Sequence, residues 1–312
     1  QDEFFDEGHT DTITQDSFNY LASEAYSVGK TTHTVEEARP FLPANVTSSM
    51  HRVVVVILSG LRYDAFTQGG SALTTDSPSD LQATAPMRHF ESLLGSESVL
   101  CKLKAELPSV SLPNWIGMLT GVRPEIHGLL GNRGPAEQQY SSLLSVAHEL
   151  NIEATMIGTP WFVDLFRSKL TPLKGDGSVS ASYSEFEPNT VEADANDKKR
   201  EEVLFLALNT TARLILAEFS EINSAGQLHG ASYEEGSAYM TAVMSKARLL
   251  RQTLDAINAP GQPPTTLIVT SPHGHLPRGG AGGNTEWERD APFLVYRPGS
   301  DLGGLDPVSD AG

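Results

Sequence analysis

Short apolar runs closed by polar, Gly or Pro residues recur along this chain. The clearest is 53–58, Val-Val-Val-Val-Ile-Leu, which ends at Ser59-Gly60. A run that is aliphatic at every position and only six residues long describes a strand buried on both faces, as in a parallel sheet. Runs of the same kind at 98–103, 154–157, 214–219, 266–270 and 293–296 predict five further strands. Between them the apolar period lengthens to that of a helix. Over 233–257, Tyr239, Val243, Ala247, Leu250, Leu254 and Ile257 follow one another at steps of three or four, and Ala259-Pro260-Gly261 then stops the pattern. Helices are also predicted over 141–150 and 197–208. Strands alternating with helices predict an α/β protein, a three-layer α/β/α sandwich with a largely parallel central sheet.

Two stretches carry no such pattern. Residues 1–50 are acidic and rich in Ser and Thr, with scattered Phe4, Phe5, Phe18, Tyr20 and Tyr26, and are expected to be an extension in front of one domain over 51–312. Residues 174–196 hold Gly, Ser, Asn and Glu with little apolar material, which predicts a surface loop. These two segments are the expected contacts for protein partners, because a sandwich core does not account for them.

Charge narrows the function classes. Against 39 Asp and Glu stand 22 Lys and Arg in 312 residues, a formal net charge of −17. A balance so acidic repels phosphate backbones and anionic headgroups, so nucleic acid is excluded as a partner. The longest aliphatic run is far short of the roughly 20 residues that cross a bilayer, so membrane association is expected only through a segment or partner outside this chain. Cys101 is the single cysteine, which excludes an internal disulfide and a cysteine-based zinc cluster. Gln1 in place of Met fits a leader already removed, and the small polar ending Ser309-Asp310-Ala311-Gly312 fits a following anchor or tail. The tripeptides Asn45-Val46-Thr47 and Asn209-Thr210-Thr211 match the acceptor pattern for N-glycosylation, although such matches also arise by chance. An extracytoplasmic or organellar location is therefore expected over a cytosolic one.

In open parallel sheets, ligands gather at the carboxyl ends of the strands, so the residues following each run are where chemistry is expected. They read Ser59-Gly60-Leu61-Arg62-Tyr63-Asp64; Ser111-Leu112-Pro113-Asn114-Trp115 running on to Leu119-Thr120-Gly121 and Pro124-Glu125-Ile126-His127-Gly128; Asn223 to Gly230; and Ser271-Pro272-His273-Gly274-His275 with a glycine-rich loop behind it. Together and in this order they resemble the alkaline phosphatase superfamily, in its type I phosphodiesterase/nucleotide pyrophosphatase branch. The resemblance runs from about residue 52 to 299.

That resemblance implies two divalent cations, usually zinc, held by three aspartates and three histidines, with a Thr or Ser nucleophile between them. Here the six ligand positions fall on Ser59, Asn223, Gln227, Pro272, His273 and Ala281, the nucleophile on Ser111 and a phosphate-contacting amide on Asn114. Only His273 keeps a ligand of the expected kind. Three carboxylates would bring a pair of divalent ions to about +1, and without them the ions lack compensation. No metal or other cofactor is expected, and no catalytic residue.

Each residue also has a local reading. Ser111 precedes Pro113 and is expected to cap or start a helix. His273 and His275 are expected to be hydrogen-bonded loop histidines, and Asp64 a helix initiator. His229 is a possible substitute for Gln227, and the backbone of 279–283 a possible phosphate cradle. The reading favoured is a catalytically degenerate domain acting as a structural or interaction subunit, with a membrane-associated assembly as one setting. Its alternatives are a residual metal-dependent phosphodiester or phosphomonoester hydrolase using Ser111 with His229, His273 and His275, and a module that binds a phosphorylated or nucleotide ligand without turning it over.

Overall fold

The apolar run after His51 forms β1 (Arg52–Leu58), the centre of a six-stranded sheet. The structure, a computed structural model, describes residues 51–67, 86–132, 140–166, 193–234 and 236–302. The extension at 1–50 lies outside these residues, as does 174–192 of the expected loop. β1 is flanked in parallel register by β4 (Leu214–Phe219) and β5 (Thr265–Thr270), and β3 (Ala154–Ile157) pairs in parallel with β4. On the other side of β5 lies β6 (Asp290–Tyr296), which runs antiparallel both to β5 and to the edge strand β2 (Ser98–Lys104). The order is β2-β6-β5-β1-β4-β3. The sheet is therefore mostly parallel, with one strand reversed.

Alternation along β1 divides the core in two. Val54, Val56 and Leu58 face one apolar cluster and Val55 and Ile57 the other. The first is covered by helices α2 (Pro86–Ser92), α7 (Ala193–Leu208), α8 (Glu221–His229) and α9 (Ala238–Ile257). The second lies under α3 (Ser111–Thr120), α5 (Leu143–Glu149) and α6 (Pro160–Asp164). Each fully buried Val, Leu or Phe in these layers contributes on the order of 2 kcal/mol. Two short helices, α1 (Asp64–Thr67) and α4 (Pro124–His127), lie at the ends of the first and second sequence motifs, and α10 (Glu286–Arg289) precedes β6. No described helix is long and apolar enough to cross a membrane.

Three helix starts differ from the sequence reading. The long helix starts at Ala238 instead of 233, because Ser237 caps it, its hydroxyl accepting the Met240 N–H at 3.1 Å. The helix expected from 141 starts at Leu143, where Ser142 and Ser145 form a reciprocal capping box. Residues 193–196, assigned to the surface loop, form the first turn of α7, and Asn196 is buried.

What holds that turn is an ion cluster joining three helices. The buried Asp197 carboxylate pairs with Arg200 and accepts the backbone N–H groups of Ser220 (3.2 Å) and Glu221 (2.8 Å) where α8 begins. From α9, Lys246 Nζ reaches Glu201 (2.7 Å), Glu221 (2.9 Å) and Asp197 (3.3 Å). Burial pulls the Lys246 pKa down, but the surrounding Asp197, Glu221 and Glu201 outweigh it, and the ammonium titrates above the ordinary lysine range. A second clamp lies at the opposite, amino edge of the sheet. Buried Arg52 donates from Nε to Ala212 O (2.9 Å) and from its two terminal nitrogens to Leu208 O (2.7 Å) and Thr210 O (2.6 Å), fixing the turn between α7 and β4.

Candidate functional site at the carboxyl edge of the sheet

The motifs meet where β1, β4 and β5 end. Ile57 is level with Glu218 on one side and Thr270 on the other, so the segments after all three strands start from one row. Gly60 sits at φ +86°, and a Cβ there would lie 2.7 Å from Asn223 Cα and 2.9 Å from His275 Nε2. Only glycine lets the first-strand motif approach α8 and the histidine loop this closely.

Ser111 and His273 form the central contact. Ser111 Oγ lies 2.9 Å from His273 Nε2, and His273 Nδ1 lies 2.8 Å from the carbonyl oxygen of Gly274. A carbonyl only accepts, so Nδ1 carries the proton, Nε2 is the lone pair and the Ser111 hydroxyl donates to it. Both residues are buried. Burial, with His275 adding to it, pushes His273 down to about 3, so the ring is neutral at physiological pH. Ser111 starts α3 as expected, but it does not cap it: Val110 stands at the N-cap position with no side-chain cap, and the Ser111 hydroxyl turns to the imidazole.

His275 packs edge-on against His273, ring centroids 5.2 Å apart. Its Nδ1 lies 3.1 Å from Gly280 O and its Nε2 3.0 Å from Asn223 Oδ1. Burial holds its pKa down at about 4, so the neutral ring has a single proton to donate between these two oxygens. Gly226, one turn along α8, provides the room, since a Cβ there would meet His275 Cδ2 at 2.4 Å.

Ser59 points to the other side of β1. Its hydroxyl donates to Glu218 Oε1 at 3.0 Å, and Oε2 accepts the Thr159 N–H at 3.1 Å. Glu218 is fully buried, and burial raises its pKa above the usual carboxylate range. The sequence reading missed this residue. A charged side chain inside an otherwise apolar strand was the available signal.

The remaining positions divide. Pro272 is buried beside His273 and Ala281 is half-buried, while Gln227 and His229 are exposed on the last turn of α8. Asn114 is buried and faces its own loop: Oδ1 accepts the Glu106 N–H (2.8 Å), and Nδ2 donates to the carbonyls of Glu106, Pro108 and Val110. Its amide is thus taken up in shaping the lead into α3 and is not directed into the cleft. The expected cradle at 279–283 is also turned inward. Gly282 N–H donates to Ser109 Oγ (3.1 Å) and Gly283 N–H to Glu288 Oε1 (2.9 Å). Asp64 opens α1 as expected, and it also binds Arg62 and accepts the Tyr233 hydroxyl at 2.7 Å. Arg62 in turn lies over the Tyr233 and Trp287 rings. Among the described residues, no group of three or more His, Cys, Asp or Glu side chains is arranged to hold a metal ion.

The family model for type I phosphodiesterase / nucleotide pyrophosphatase matches residues 53–289, which hold all four motifs. The chain belongs to this family. A search of curated proteins gave no match. Solved structures similar to this phosphodiesterase-family chain include a putative sulfatase from Bacteroides thetaiotaomicron VPI-5482 (13% identity, TM-score 0.57, covering 83% of this chain and 66% of that one). BT1596, a 2-O GAG sulfatase, is similar at 13% identity and TM-score 0.55, over 80% of this chain and 65% of its own. The C-terminal periplasmic domain of EcEptC from Escherichia coli follows at 14% identity and TM-score 0.50, over 81% and 73%. At such identities the likeness is one of fold, and the fold is alkaline-phosphatase-like. The chain spans about two thirds of the length of the two sulfatases.

Proposed function

We propose that this chain is a catalytically degenerate member of its family, acting as a structural or interaction subunit outside the cytosol. The observation that carries the reading is the set of side chains at the family's ligand positions. Ser59, Asn223, Gln227, Pro272 and Ala281 offer no carboxylate or imidazole to a cation. His273 has its lone pair on the Ser111 hydroxyl and its other nitrogen on Gly274 O. Such a donor set does not fit two divalent ions, which need anionic ligands to offset their charge.

Ser111 gains no other means of activation. Were His273 to take its proton as a general base, the resulting imidazolium would form about four pH units above its pKa, costing roughly 5 kcal/mol at neutral pH. The Nδ1 partner is a neutral carbonyl and not a carboxylate, so nothing offsets that cost. These points speak against residual hydrolysis through Ser111 with His229, His273 and His275.

The location outside the cytosol is supported by the likeness of fold to a periplasmic domain. Partner contacts are assigned to residues 1–50 and 174–196, and membrane association to a partner or a segment beyond this sequence. Deleting residues 1–45 should release the protein from what co-purifies with it while the domain stays folded; unchanged co-purification would count against that segment.

The site is tested by calorimetric zinc titration of the wild type and of a variant carrying Ser59→Asp, Asn223→Asp, Gln227→His, Pro272→Asp and Ala281→His, with circular dichroism to check folding. The wild type should bind no zinc at micromolar concentration and the folded variant should bind it tightly. A wild type that takes up two equivalents would overturn the reading.

A further inference from the structure

The geometry of the turn between α7 and β4 points to a covalent modification: we propose that Asn209 carries an N-linked glycan. The proposal rests on the extracytoplasmic reading above, and on three observations independent of the cleft.

The first is the tripeptide Asn209-Thr210-Thr211, which has the residue types an oligosaccharyl transferase reads. The second is its presentation. Arg52 draws the carbonyls of Leu208, Thr210 and Ala212 inward, and the Asn209 and Thr210 N–H groups close on Leu206 O and Ala207 O, both at 3.0 Å. With the backbone held from below, all three residues of the tripeptide are exposed. The third is the neighbouring surface: Leu206, one turn back on α7, is 67% exposed, a large apolar side chain that a sugar on Asn209 would shade. The turn lies at the amino edge of the sheet, opposite Ser111 and His273, so a bulky group there leaves the cleft edge open.

The chemistry fits the local hydrogen bonds. Asn209 Nδ2 bonds C1 of the incoming sugar and gives up one proton to a base of the transferase, while C1 breaks from a lipid-linked pyrophosphate donor that leaves with the bonding electron pair. Nδ2 keeps its second hydrogen, so its bond to Phe205 O (2.9 Å) survives. The Thr211 hydroxyl binds Glu153 in the folded domain. The transfer therefore belongs to the emerging chain, before β3 and β4 pair.

The test uses the full chain secreted from a eukaryotic host behind a cleavable leader, and the same protein isolated from its own cells. Peptide mass spectrometry before and after treatment with an N-glycan amidase should find Asn209 sugar-bearing in both and converted to Asp by the enzyme. Asn209→Gln and Thr211→Ala should abolish the mass, and Thr211→Ser should keep it. Bare Asn209 in the leader-driven protein overturns the acceptor site itself. Sugar there but none in the protein from its own cells overturns the proposal through the compartment reading, and the two failures are told apart by which sample is bare.

Discussion

Glu218 and Ser59 meet at the end of adjacent parallel strands, the serine hydroxyl 3.0 Å from a carboxylate with no exposure to solvent. A carboxyl whose pKa is raised by burial holds its proton more tightly folded than unfolded, so the stability it contributes is present below its unfolded pKa and is lost as pH rises through the folded value.

Glu218→Gln removes that penalty and keeps the geometry, since the amide oxygen accepts from Thr159 and the NH2 group donates to Ser59 Oγ. The variant should gain stability over the wild type by about 1–2 kcal/mol at pH 8, and the gain should shrink on going to pH 5. Urea unfolding midpoints at the two pH values check this; equal gains at both would show that the Glu218 charge is not the cause.

The two histidines slope the other way. Their folded pKa values, about 3 for His273 and about 4 for His275, lie below the unfolded value near 6.5, so their contribution is complete above that value and is lost as pH falls toward the folded ones. Between pH 7 and pH 5 each ring should cost roughly 2 kcal/mol. The difference in unfolding free energy between pH 7 and pH 5 should be smaller by about that amount in His273→Gln than in the wild type. An unchanged difference would rule out a neutral, buried His273.

Lys246 answers three carboxylates at once. Lys246→Met leaves Asp197, Glu201 and Glu221 facing one another without their shared cation, and should destabilise the domain by about 3–5 kcal/mol. Exchanging the exposed pair partner Arg251 for Met should cost under ~1 kcal/mol. Thermal unfolding of the two variants side by side measures the contrast.

Gly226 is a packing requirement for His275. Since that ring is held at both nitrogens, it has nowhere to move, and Gly226→Ala should cost about 2–3 kcal/mol despite the higher helix propensity of alanine. Gly299, where an added Cβ would meet nothing, carries the contrasting case of strain without a clash: Gly299→Ala pays only for its positive φ, about 1 kcal/mol. A Gly226→Ala protein as stable as the wild type would mean that His275 is not fixed as described.

How far this was legible in the sequence depended on distance along the chain. Residues 53–58 and 214–219 announced their strands because a parallel strand buried on both faces is apolar at nearly every position. The motifs following them placed Ser59, Ser111, Asn223 and His273 near one another through the order of the family's blocks. Pairings between remote segments left no such trace. That Ser111 donates to a histidine 162 residues later, and not to its own helix, has no local signature. The first turn of α7 has the sequence of a loop because what holds it is Asp197 with Arg200, Lys246 and the start of α8. β6 begins three residues earlier than its apolar run, since residues 290–292 pair only with the edge strand β2, opposite Lys104, Leu103 and Lys102.

The reversal of β6 also fixes an order of assembly. β2, at the edge of the sheet, has β6 as its neighbour, so Ser98 waits for Tyr296 and Lys104 for Asp290. As the chain leaves the ribosome, β1, β3 and β4 can close on one another while β2, made before β3 and β4, still has no strand to join. Contacts of such sequence separation slow folding and leave an open strand edge in the meantime. Lys102 and Lys104 are exposed on this strand, and lysines in an edge strand are the kind of residues that keep it, while unpaired, from joining a wrong one.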